Sequence, residues 1–119
     1  MNKVWVNEED EIGEIILIGP QTQAMVEQAI AKTIAFDAEQ SRLYGRIVTL
    51  IDVTDVGSVE PSALKVTLHG LSAVNYDRIA FLNAAKPLQV ALEAMIIVTG
   101  RGDKIQFFHD RAKAVQWLQ

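Results

Sequence analysis

No cysteine occurs in the chain, which excludes a disulfide framework, a thiolate nucleophile and any cysteine-ligated zinc or iron–sulfur site. Long apolar runs are missing as well. The longest, Ile15 to Ile18 and Met95 to Val98, fall far short of the roughly 18 to 20 residues that span a bilayer, so no transmembrane segment is expected. Basic residues are scarce, with 11 Lys and Arg against 15 Asp and Glu, a net charge of −4 and a pI near 5.1. Phosphate contacts need clustered cations, so nucleic acid is not an expected partner. The N-terminal stretch turns acidic at Glu8 and lacks the basic start and apolar stretch of a secretory signal, which makes the cytoplasm the expected location. Neither a low-complexity tract nor a linker nor a repeat of solenoid period divides the chain.

What is present is 119 residues, 50% of them hydrophobic and 22% charged, enough for a single domain over 1–119 with its own core. Lys3 to Val6 and Glu14 to Ile18 read as strands joined by the acidic turn Asn7 to Gly13, the second stopped by Gly19-Pro20. From Thr22 to Tyr44 the stripe Val26, Ile30, Ile34, widened by Ala29, Phe36 and Leu43, predicts an amphipathic helix ended by Gly45. Ile47 to Val53 is rich in β-branched residues and reads as a central strand buried on both faces. A loop from Thr54 to Ser58 leads to a helix opened by Pro61, with Leu64, Leu68 and Leu71 facing inward. Tyr76 to Asn83 is the next strand. Pro87 opens a helix with Leu88, Ala91, Leu92 and Met95 on one face, Gly100 to Asp103 breaks it, and Lys104 to His109 forms a strand near the sheet edge. Asp110 caps a final helix carrying Ala114, Val115, Trp117 and Leu118. The order β-β-α-β-α-β-α-β-α implies an α/β fold: a mainly parallel sheet of four to five strands, an antiparallel N-terminal strand and about four helices.

Three C-terminal segments carry a family likeness. Tyr76-Asp77-Arg78-Ile79-Ala80-Phe81-Leu82, Gly102-Asp103-Lys104-Ile105-Gln106-Phe107-Phe108 and Asp110 to Leu118 resemble two strands and the last helix of small bacterial SpoIIAA-like (STAS-like) proteins of STAS/SEC14 type. The resemblance implies a SpoIIAA-like fold and a non-catalytic regulatory or adaptor role with a protein partner. Its SEC14-like side implies, as the alternative, a carrier of a small apolar, lipid-like ligand. In STAS phosphoswitch proteins a serine opens the helix after the central strand and receives a phosphate. Here Glu60 takes the acidic place before it and Pro61 the place of that serine, so the residue that would carry the switch is absent, while Ser58 and Ser62 flank it.

The candidate site residues follow from position. Asp52, Asp55 and Ser58 fall near the end of the central strand, where open α/β sheets gather ligands, and Ser62 and Lys65 open the next helix; together they form a candidate rim for a partner or an anion. The same residues also suit plain turn and cap duties, with Ser58 capping the helix. Leu88, Met95 and Ile96, with Ala84, Ala85 and Ile97, would line an apolar pocket, or simply the core. An enzyme using Asp52, Asp55 or His69 is the third reading, without a recognisable nucleophile motif. No metal ligand set or cofactor motif is present, and His69 and His109 stand without a partner at zinc spacing. Arg101-Gly102-Asp103 reads as a polar turn. Trp5 and Phe108 would leave an apolar patch if they project outward, and an edge strand bearing Phe108 suggests a homodimer.

Overall fold

The computed structural model describes residues 1–119. β1 (Lys3–Asn7) and β2 (Ile12–Gln21) pair antiparallel, and the turn between them is held by Asn7, whose side-chain oxygen accepts from the Asp10 amide. α1 (Gln23–Tyr44), β3 (Val48–Val59), α2 (Pro61–Ala73), β4 (Arg78–Leu82), α3 (Lys86–Thr99), β5 (Ile105–Phe108) and α4 (Arg111–Leu118) follow in alternation. The sheet order is β1-β2-β3-β4-β5, with every pair after the first parallel and β3 at its centre.

Side chains on alternate sides of the strands feed two cores. Val53, Ile79, Phe81 and Ile105 meet Leu71 of α2 and Leu92 and Ile96 of α3 on one face, which α1 also covers. Val48, Leu50, Ala80 and Leu82 meet Ala114 and Leu118 of α4 on the other. The helix ends obey local chemistry. Thr22 accepts from the Met25 amide, Asp110 accepts from the amides of Ala112 and Lys113, and Gly45 and Gly100 close α1 and α3 in left-handed conformations.

Four expectations need correction. β2 does not stop at Gly19-Pro20 but runs on to Gln21. β1 pairing ends at Ile16, so the missing N–H of Pro20 falls where no β1 ladder bond is required. That extension gives β3 a neighbour, through Ile18 with Asp55, Gly19 with Val56 and Gln21 with Val59, and the expected loop Thr54 to Ser58 is therefore strand. Gly57 suits the close approach, since a Cβ there would stand 3.3 Å from the Pro20 nitrogen. Ser58 does not cap α2, because the N-cap residue is Glu60, without a side-chain bond, and Pro61 occupies the first turn.

The stripe of α1 is also rotated from its expected line. Ile34 and Leu43 are 53% and 43% exposed, whereas Asp37 and Gln40 are buried together with Val26 and Ala29. Gln40 belongs inside because its side-chain oxygen accepts from the Val48 amide at 3.3 Å, satisfying the first N–H of the central strand.

Candidate functional site

The β3–β4 ladder runs from Val48 with Arg78 to Asp52 with Leu82 and ends there. Residues 53–59 of β3 continue past the end of β4 with a strand neighbour only in β2. The chain leaving β4 turns away at once, since Asn83 adopts φ 62° and its amide donates to the Phe108 carbonyl. The outcome is an overhanging ribbon with one open edge at the C-terminal rim of the sheet. Beneath it lies an apolar groove of about 360 Å³ between Val53, Val56 and Val59 of the ribbon, Leu64 of α2, and Leu88 and Ala91 of α3.

The rim residues are distributed over this feature rather than gathered at one point. Asp55 and Ser58 are exposed on the ribbon, and Lys65 is exposed and Ser62 half-buried in the first turns of α2. Asp52 faces the other side of the sheet, toward α4, as its alternation with buried Val53 requires. Its carboxylate accepts from the Thr54 amide and hydroxyl, and the Thr54 hydroxyl in turn accepts from the Asn83 side chain at 2.9 Å. Asp52 therefore ties the root of the ribbon to the end of β4. His69 and His109 are exposed, and no group of three or more His, Asp or Glu side chains is placed to hold a metal ion.

Leu88, Met95 and Ile96 do not share one chamber. Leu88 and Ala85 line the groove, Met95 packs against the core, Ile96 and Ala84 lie within it, and Ile97 is 80% exposed. Phe108 is covered by Trp117 of α4, ring centroids 5.7 Å apart, and the Arg78 guanidinium lies 5.0 Å from the Trp117 ring centre. Trp5 is half-buried opposite Glu14. Arg101 turns inward, donating to the carbonyls of Leu71 and Val74 and stacking over Tyr76. The hydroxyl of Tyr76 donates to the Leu71 carbonyl, and burial raises its pKa.

Two polar arrangements escaped the sequence reading. Glu14, 4% exposed within β2, receives both guanidinium nitrogens of Arg111 at 2.7 and 2.8 Å and the Asn7 side chain. Glu14 holds the Arg111 proton and raises its pKa. Asp37 lies inside α1 with no such partner, and burial pushes its carboxyl up to about 6. The spacing Ala29, Thr33, Asp37, Gln40 is a helical stripe in its own right, visible in the sequence only to a reader willing to bury two polar residues.

No protein-family model matches the sequence, and no curated protein matches it. Solved structures do. An uncharacterized protein of the DUF3478 family with a SpoIIAA-like fold, from Shewanella loihica PV-4, superposes with a TM-score of 0.66 at 24% identity, covering 100% of this chain and 93% of that one. The anti-sigma factor antagonist SpoIIAA in its unphosphorylated form superposes with a TM-score of 0.63 at 17% identity, covering 98% and 96%. The fold is SpoIIAA-like. The expected architecture thus holds, including the antiparallel first strand and the four helices. No helix of this SpoIIAA-like chain is long and apolar enough to cross a membrane.

Proposed function

We propose that this chain is a non-catalytic regulatory or adaptor module that takes a protein partner along the β3 overhang and the start of α2. The observation behind this reading is the open edge of residues 53–59 lying directly beside an apolar groove. An extended partner segment added to such an edge gains main-chain hydrogen bonds, while alternate side chains find the groove. Leu64 and Leu88 offer the apolar anchors there, each side chain buried by a partner contributing roughly 1.5 to 3 kcal/mol before ordering costs. Lys65 and Asp55 stand exposed at the margin, outside both ion pairs of the chain, and are free to select a partner by charge. The similarly folded SpoIIAA is an anti-sigma factor antagonist, which is consistent with a module whose target is another protein.

A phosphate-driven switch in this chain would fall to Ser58, exposed on the ribbon, or to half-buried Ser62, because Pro61 has no hydroxyl. The test is site-specific photo-crosslinking in cells, with the crosslinker at Ser58 and, as control, at His69 on the outer side of α2. A partner joined from position 58 and lost in a Leu88→Asp background is the expected result. Retention of every joined partner when Ser62 and Lys65 are disrupted together, beside the crosslinker that itself replaces Ser58, would defeat the reading.

A further inference from the structure

The sheet ends on β5, whose outer edge has no neighbouring strand. Natural edges are usually blunted by a charge, a proline or a bulge, and Ile105-Gln106-Phe107-Phe108 carries none of these in its unbroken register with β4. Which backbone groups stand free follows from one bond. The Phe108 carbonyl accepts from the Asn83 amide, so Phe108 and Gln106 face β4, and alternation turns the groups of Ile105, Phe107 and His109 outward. The Ile105 N–H is already given to the Gly102 carbonyl. That leaves both groups of Phe107, the carbonyl of Ile105 and the N–H of His109 to be answered. Beside this edge α3 turns an apolar flank to solvent, with Val90, Ile97 and Val98 55%, 80% and 73% exposed. Gln89, Glu93 and Ile97 form with Ile105 and Phe107 a groove of about 420 Å³, so edge and flank are one continuous surface.

We propose that this surface pairs with a second copy of itself: two β5 strands join antiparallel about a two-fold axis at Phe107, and the two α3 flanks close over the join. This register answers every free group. Phe107 exchanges both bonds with Phe107 of the second copy, and each His109 N–H meets the other copy's Ile105 carbonyl. An axis at Gln106 would instead set the Phe107 carbonyl against the spent Ile105 N–H. The axis at Phe107 also places Lys104 opposite Asp110 on both sides of the join, and these two charges stand outside both ion pairs of the chain. Strands about 4.8 Å apart put two α3 helices, each packed over its own β4–β5 pair through Leu92 and Ile96, about 10 Å from axis to axis, the spacing at which helices interdigitate. Glu93 works against the join, since each copy brings a carboxylate to it. The contact engages about a dozen residues of each copy, roughly 400 Å² a side where about 25 residues bury about 800 Å², which makes a weak, reversible dimer with Kd on the order of 0.1 mM. It uses the outer edge of the sheet and not the β3 overhang, so it does not rest on the partner reading.

The test is analytical ultracentrifugation of the full chain from about 10 µM to about 1 mM, with amide shifts of ¹⁵N-labelled protein followed over the same range. Dimer growing in through about 0.1 mM is expected, with shifts centred on Ile105 to His109 and on Val90 to Val98. Ile97→Lys, at a side chain already in solvent, should weaken association at least about tenfold while leaving Tm unchanged, because it carries a charge into the apolar join. Charges settle the register. Lys104→Glu and Asp110→Lys each set like charges opposite one another and should each associate at least about tenfold more weakly, whereas their equimolar mixture pairs opposite charges again and should return to the original affinity. A chain that stays monomeric to about 1 mM overturns the proposal, as do undiminished association of Ile97→Lys, a mixture no tighter than its components, or shifts centred on β1 or residues 53–59. Should Asp110→Lys lose α4 together with its cap, the concentration series and Ile97→Lys decide the matter on folded protein.

Discussion

Replacing Asp37 by Asn isolates the cost of one buried charge. The carboxyl titrates at about 6 in the folded chain against 3.8 for the free group, because burial disfavours the ionised form. The sign follows from proton counting. Between those two values the folded state holds the proton and the unfolded state has released it, so stability falls as pH rises through this window. Below it the penalty is absent; above it the penalty is complete. At about 1.4 kcal/mol per pH unit the separation amounts to about 2 to 3 kcal/mol. Asn has nearly the same shape and no charge, yet its amide stands where Oδ1 has no hydrogen-bond partner, a fixed cost of about 1 to 2 kcal/mol that does not vary with pH. The fixed cost offsets part of the absolute gain, whereas the pH dependence comes from the Asp37 titration alone. Urea denaturation of both proteins from pH 3.5 to 8 cancels every carboxylate they share. The difference in stability should move in favour of Asn by about 2 to 3 kcal/mol between the ends of that range. A difference that stays level to within about 0.5 kcal/mol would show that Asp37 is solvated after all, and the reasoning about its burial would fail.

Two further substitutions probe the packing. Arg111→Ala leaves the Glu14 carboxylate, 4% exposed, with Asn7 as its remaining side-chain donor; the loss should be on the order of 2 kcal/mol in urea denaturation, below that of a fully buried pair because Arg111 itself reaches solvent. Gly70→Ala should be nearly neutral, since helix propensity gains what the displaced Ile30 terminus loses, while Gly70→Leu should cost about 1 to 3 kcal/mol by forcing α1 and α2 apart, read as a lowered Tm.

Periodicity carried the architecture because burial of apolar side chains decides which elements exist and in what order. Val26 and Ala29, Leu71, Leu92 and Ile105 all lie where their spacing placed them. It failed at Gly19-Pro20 and at Thr54 to Ser58, and for a single reason. Glycine and proline mark a break only if no neighbouring strand tolerates them, and whether β2 has a partner on a given side is a property of the sheet, not of the residues in sequence. The rim was legible as a place but not as a shape: Asp55 and Ser58 are indeed beyond the β4 end, yet the open edge arises from unequal strand lengths that no residue announces. Asp37 and Glu14 were illegible for a different cause. A carboxylate in a hydrophobic pattern reads as the solvent face, and only tertiary contact reveals that Arg111, 97 positions away, answers one of them and nothing answers the other.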